Sequence, residues 1–218
     1  ELSECLNIDP SKIEVMVPLA VPAPRGNPSQ AELEHVRRKY ALPEHFILMI
    51  GTVEPRHNHQ AVFAALADAA SPAGVVVCGR RTAWSDYLLG YARARRIAAR
   101  VDFIYELTPS DLPALFRLAR VFAYLPDADA EASVVPVVEA LRAGLPMVLS
   151  DTQVNREAAG EAAAYVRPEA RGEVLAALEN ALEDVSWRRT MQERERRRAE
   201  LFSEYAVAER LMQIYTSL

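Results

Sequence analysis

Short, continuously apolar, β-branched runs alternate along this chain with longer stretches of helical periodicity, and this alternation limits the fold more than any other feature. The candidate strands are Ile13 to Val17, Phe46 to Ile50, Gly74 to Cys78, Val101 to Ile104, Val121 to Tyr124, Met147 to Leu149 and Ala163 to Val166. Strands that are apolar at every position, rather than at every second one, are covered on both faces. Helical patterns lie between them, near 29–40, 60–70, 84–98, 110–119, 136–143, 155–159 and 171–183. Ser110 and Asp111 offer capping chemistry at one helix start; Pro136 suits a first turn, and Gly144 stands where that helix should stop. Strand–helix–strand repetition of this kind predicts an α/β fold with a doubly wound parallel sheet.

The prolines at 18, 22, 24 and 28 predict an extended surface segment, so residues 1–28 read as a strand and linker leading into a domain over 29–200. After Ser186 the chain is helical and charged, with Glu193–Arg197 and Glu195–Arg198 at helical spacing, as on a solvated face. Residues 201–218 read as a final amphipathic helix packing on the domain through Ala206, Leu211, Met212 and Ile214.

Composition excludes several function classes. The formal charge is −5, so there is no excess of cations to displace phosphate counterions, which argues against general nucleic-acid binding. Two cysteines are too few for a disulfide framework, and Cys78, closing the run Val75–Val77, reads as a buried strand thiol. No apolar stretch approaches the roughly 20 residues of a membrane span, and no signal peptide is evident, so a reducing, cytosolic setting is expected. The chain begins at Glu1, as a fragment of a longer protein would.

In an open parallel sheet the ligand crevice lies beyond the carboxyl ends of the strands. The loops there are Gly51-Thr52-Val53-Glu54-Pro55-Arg56-His57-Asn58, Gly79-Arg80-Arg81, Tyr105-Glu106, Pro126 to Val135, and Ser150-Asp151. Arg56, Arg80 and Arg81, with a helix starting near Pro136, suggest an anionic ligand, because the unpaired N–H groups of a helix start attract phosphate. No G-x-G-x-x-G follows a strand, and no P-loop sequence is present. His57 and His59 have no third ligand at metal spacing, and no nucleophile elbow appears.

The most informative segment runs from Glu131 through Glu139 to Gly144 and Pro146. Two acids at this spacing arise by chance about four times in such a chain. This pair is distinguished by its placement, one acid in a strand-end loop and the other one turn into the next helix, where both would face one crevice. The segment resembles the E-x7-E region of family 4 retaining glycosyltransferases of the GT-B fold (glycosyltransferase group 1), commonly E-G-F-G-L-P-x-x-E-A-x-A-x-G-x-P. Phe46 to Asn58 is similar to that family's "ilyvGtlEPRKN", Val17 to Val21 to its "VPlGVd", and Asp151 to Gly160 to its "s-x-x-x-x-x-pEvaG" through Glu157 and Gly160. The resemblance covers roughly residues 10 to 215 and points to the C-terminal, donor-binding half of such an enzyme, a Rossmann-like domain.

The resemblance implies roles for particular residues. Glu131 matches the catalytic acid lying against the donor sugar, and Glu139 the acid that hydrogen-bonds the ribose. Ser133, Val134 and Val135 match the loop whose amides hold the diphosphate, and Arg56 and His57 the basic pair of the diphosphate loop. Gly51, Thr52, Arg80 and Tyr105 complete the expected donor site. The implied activity is transfer of a sugar, with retention, from a nucleoside-diphosphate sugar such as GDP-mannose or a UDP-sugar. The implied partners are that donor and a glycan or lipid-linked acceptor bound through an absent N-terminal domain; no cofactor and no metal are expected. The location implied is the cytoplasm, with room for peripheral attachment to the inner membrane face in a longer enzyme.

The sequence departs from the family pattern where His57 replaces lysine, Ala132 and Val134 replace glycines, Ala20 replaces a glycine, and Tyr105 stands where glycine is common. These departures motivate a second expectation, a degenerate module that serves structure or partner contact. A different sugar-nucleotide enzyme of the same architecture is a third.

Overall fold

The computed structural model describes residues 2–14, 16, 27–127 and 134–217. In chain order the helices are α1 (Leu2–Leu6), α2 (Gln30–Lys39), α3 (His59–Asp68), α4 (Ala83–Ala94), α5 (Leu112–Leu118), α6 (Val135–Ala143), α7 (Gln153–Ala159), α8 (Arg171–Glu183), α9 (Val185–Ala199) and α10 (Glu204–Ser217). The strands are β1 (Phe46–Ile50), β2 (Gly74–Cys78), β3 (Val101–Ile104), β4 (Val121–Tyr124), β5 (Met147–Ser150) and β6 (Ala164–Val166). All pairings are parallel, in the order β3-β2-β1-β4-β5-β6. Register is continuous from Phe46 opposite Gly74 to Ile50 opposite Cys78.

The continuous apolarity of the strands has its expected cause. Phe46 and Leu48 join a core layer with α2, α5, α6 and α7, whereas Ile47 and Met49 join the opposite layer with α3, α4 and α8. Because successive side chains point to opposite faces, a strand between two helical layers has no position left for a polar residue. The connections out to β3 and then back past β1 to β4 place the topological switch point between β1 and β4.

Local chemistry sets the helix limits. Ser29 and Glu32 form a reciprocal capping box on α2, Thr82 and Ser85 do so on α4, and Thr152 caps α7. Gly144 ends α6 in the left-handed region at φ 62°.

Four expectations change. Ile13, Glu14 and Met16 belong to no strand; they follow a 3-10 turn over Pro10–Lys12, and Val15 and Val17 lie outside the described residues. The Ser110–Asp111 start is a 3-10 turn preceding α5, and Asp111 caps nothing: its carboxylate accepts from Lys39 Nζ at 2.7 Å and Tyr40 OH at 2.9 Å, tying α2 to α5. α9 is not a uniformly solvated face, because Arg188, Met191 and Glu195 lie on one buried stripe. Arg198 donates to the carbonyls of Ala158 (2.8 Å) and Glu157 rather than to Glu195, whose two carboxylate oxygens have no partner among the described residues. On α10, Val207 is buried while Met212 is exposed, and Arg210 pairs with Glu14 at 2.7 Å.

Candidate functional site

The carboxyl ends of β1, β2 and β3 continue as an interlocked set of turns. Gly51 N–H donates to the Cys78 carbonyl at 3.0 Å, Gly79 N–H to Ile104 at 3.0 Å, and Val53 N–H to Arg80 at 3.1 Å. The backbones approach so closely that a Cβ on Gly79 would lie 1.8 Å from the Gly51 carbonyl oxygen. Gly51 itself has φ +143°, which side-chain-bearing residues rarely adopt. Thr82 Oγ1 donates to the Val53 carbonyl, so the start of α4 is fixed to the turn beyond β1.

That turn is a 3-10 turn, Pro55–His57, closed by Asn58 in the left-handed region at φ 51°. His57 is buried, and its Nδ1 lies 2.6 Å from the Thr52 carbonyl oxygen. A carbonyl can only accept, so Nδ1 carries the proton. Its ring also covers Gly51, where an added Cβ would come within 3.5 Å of the imidazole. Arg56 Nε donates to Glu54 at 2.7 Å, and chiefly this bond holds the Glu54 carboxyl below the ordinary carboxylate range.

The turn is laced across the switch point to the loop after β4. Asn58 Nδ2 donates to the Leu125 carbonyl at 2.9 Å and to Asp127 Oδ1 at 2.6 Å, and Asp127 N–H donates to the Arg56 carbonyl at 2.9 Å. Beneath this lacing His59 opens α3, fully enclosed, with its ring 6.0 Å from that of His57 and nearly perpendicular to it. His59 Nδ1 has no partner among the described residues. Burial, reinforced by the neighbouring His57 charge, holds its pKa down at about 4, so it is neutral at physiological pH.

Of the three loop cations, two are already matched. Arg56 is bound to Glu54, and Arg81 pairs with Asp86 at 2.8 Å while lying 5.7 Å from the ring centre of Tyr105. Tyr105 is half-buried and stacks on Phe103. Arg80 is exposed.

The helix on the β4 side of the switch point, α6, starts at Val135 with Val134 as its N-cap and no side-chain cap; Pro136 sits in its first turn. The orphan amides of such an end are available to an anion. Val134 is half-buried and packs against the core layer that includes Leu115 and Leu141. Glu139 is half-buried, and desolvation raises its carboxyl above the ordinary value, opposed by the charge of Arg142. Glu131, Ala132 and Ser133 lie outside the described residues, and so does the expected convergence of Glu131 with Glu139.

The sequence reading thus located Gly51, Thr52, Arg56, His57, Arg80, Tyr105, Val134, Val135 and Glu139 on strand-end loops or the first turns of α6. It missed Glu54, Asn58, His59 and Asp127 as structural partners of those residues. An asparagine following a proline-initiated turn is a signal for the left-handed conformation and could have flagged Asn58.

Comparison with known proteins gives three findings. Residues 32–198 match the family described as glycosyl transferases group 1. The O-antigen chain mannosyltransferase B of Escherichia coli is 29% identical over 181 residues, covering 80% of this chain and 47% of that protein. Among solved structures, a glycosyltransferase from Rickettsia africae superposes with a TM-score of 0.85 at 16% identity, covering 99% of this chain and 60% of that one. The Anabaena protein HepE, in complex with UDP and glucose, gives a TM-score of 0.75 at 16% identity over 88% of this chain and 53% of that one. The chain therefore spans about half the length of the relatives it matches.

Proposed function

The chain belongs to the glycosyl transferases group 1 family, and from that premise we propose that it is the donor-binding half of a retaining glycosyltransferase, taking a nucleoside-diphosphate sugar. The observation that carries this reading is the lacing across the switch point, where Asn58 and the Arg56 carbonyl tie the turn beyond β1 to Leu125 and Asp127 of the loop that follows β4. At such a point an open parallel sheet binds its ligand, and the uncapped start of α6 is the next helix of the chain.

In this reading the diphosphate takes the amides at the start of α6, with Arg56 and Arg80 as its cations, and Glu139 accepts from the ribose hydroxyls. As the glycosidic bond breaks, negative charge grows on the departing nucleoside diphosphate, and preorganised amides and guanidinium groups stabilise it. Glu131 is assigned to the donor sugar, where a carboxylate can stabilise positive charge developing at the anomeric carbon. We assign it a GDP- or UDP-linked donor and a glycan or lipid-linked acceptor; the E. coli relative is named an O-antigen chain mannosyltransferase, and HepE, which shares the fold, was solved with UDP and glucose. The acceptor would bind an additional N-terminal domain, in a cytoplasmic setting; among the described residues no helix is long and apolar enough to cross a membrane.

Calorimetric titration with UDP, GDP and their sugars tests the reading. We expect saturable binding of one nucleotide series, abolished by Glu139→Ala and weakened about 10- to 100-fold by Arg56→Gln, as suits loss of one charge-assisted hydrogen-bonding group worth about 1.5–3 kcal/mol. Silence toward every nucleotide would instead favour a degenerate module.

A further inference from the structure

A second cationic recess lies at the opposite edge of the sheet, where β4 and β5 begin. It is a cavity of about 210 Å³ between the end of α5, the Gly144–Pro146 loop and the first turns of α9. Its lining includes Arg117, Arg120, Arg188 and the amide of Gln192, and no carboxylate. A chain of net charge −5 thus places three guanidinium groups around one small space.

The three groups are held in place by helix-end carbonyls. Arg188, 7% exposed, donates through Nη1 to the carbonyls of Ala181 (3.2 Å) and Leu182 (2.6 Å), in the last turn of α8. Arg120 Nε reaches the same Leu182 oxygen at 3.4 Å, and Arg117 Nη1 reaches the Ala143 carbonyl of α6 at 3.2 Å. Such bonds satisfy the helix ends but use one nitrogen of each fork. Both Nη groups of Arg120, and Nε and Nη2 of Arg188, take no acceptor among the described residues. Arg120 and Arg188 also repel: after burial, the Arg120 charge is the next cause lowering the Arg188 pKa, with only Glu183 and Asp184 opposing it.

We propose that this recess is an anion-binding site for a phosphate group, separate from the switch-point crevice and independent of the function proposed there. Guanidinium forks fixed in orientation match the paired oxygens of a phosphate. At 210 Å³ the recess is smaller than the roughly 300–1,000 Å³ of sites that enclose whole organic ligands. It therefore takes inorganic phosphate or the phosphate end of a monoester, free or on a lipid headgroup. An oxyanion there would bridge α5 and α9 and tie both to the ends of α6 and α8.

The test is thermal unfolding and calorimetry of the 218-residue chain with sodium phosphate, against sodium chloride of equal ionic strength. Phosphate should raise the melting temperature beyond the chloride control. Arg120→Gln, a half-buried site that tolerates change better than Arg188, should weaken phosphate binding at least about tenfold, whereas Arg171→Gln, whose guanidinium pairs with Asp68 outside both sites, should leave it within about twofold. Equal response to phosphate and chloride, equal affinity in wild type and Arg120→Gln, or an equal loss in Arg171→Gln would each overturn the assignment. Co-sedimentation with phosphatidylcholine vesicles, with and without phosphatidic acid, separates the sources. Capture that needs phosphatidic acid and Arg120 supports a lipid headgroup, and phosphate binding without capture supports a soluble ligand.

Discussion

Replacing Glu195 with glutamine should stabilise the protein increasingly as pH rises. Glu195 lies on the inward stripe of α9, is 0% exposed, and has neither a hydrogen-bond partner nor an opposing charge among the described residues. Desolvation alone pushes its pKa from 4.5 to about 8. Because the folded-state value is the higher one, the stability linked to this group is present below pH 4.5 and lost as pH rises through about 8. One pKa unit corresponds to about 1.36 kcal/mol, so the full displacement is worth about 5 kcal/mol in rigid surroundings. Local relaxation and water entry reduce such penalties, so a difference of about 3 kcal/mol is expected above pH 8. For a chain of this size that corresponds to roughly 6–12 °C in melting temperature. Glutamine keeps the shape and the polar burial and removes only the charge. Wild type and Glu195→Gln should therefore unfold alike near pH 4.5 and diverge steadily to pH 8 in thermal or urea unfolding. Parallel stability curves across that range would refute the reasoning.

Gly79→Ala should cost about 3 kcal/mol or more, because a methyl 1.8 Å from the Gly51 carbonyl must force apart the ends of β1 and β2; urea unfolding measures the loss, and an unchanged midpoint would contradict the close approach. His59 should remain neutral down to about pH 4 in an NMR titration. Its folded-state pKa lies below the ordinary 6.5, so the stability linked to it is present above pH 6.5 and lost as pH falls toward 4; a midpoint near 6.5 would show that the ring is hydrated.

The four inner strands were legible because burial on both faces leaves a signature in nearly every residue, as in Phe46–Ile50 and Val75–Val77, whereas the edge strands β3 and β6 are only partly buried. The loops at their carboxyl ends were legible for the same reason, since each begins where such a run stops. What those loops do with their charges was not. Arg56 and Arg81 read in sequence as cations with no local partner, yet Glu54 and Asp86 stand two and five residues away and each pairs with one of them. Asp111 looks like a cap, yet Lys39 and Tyr40, some seventy positions distant, claim its carboxylate. Glu195 looks like one acid among many arginines, and only the packing of α9 shows that it faces inward. Short-range spacing carries helical phase, but the partner of a long polar side chain is set by tertiary contacts that spacing does not encode.

The same distinction bears on the departures from the family pattern. A histidine at position 57 reads, in sequence, as a weaker lysine. In the structure its Nδ1–H is committed to the Thr52 carbonyl and its ring is buried over Gly51, so the side chain forms part of the wall of the turn. A lysine could also donate to the Thr52 carbonyl, but it has no flat ring to lie over Gly51, so exchange of the two would change the packing of the turn as well as its charge. Val134 likewise packs toward the core layer beside α6. If a diphosphate binds here, Arg56, Arg80 and the opening amides of α6 must hold it, with Asn58 tying the Arg56 turn to the loop after β4. In the proposed reading these replacements alter the side chains around the site, while the amides at the start of α6 remain to receive the diphosphate.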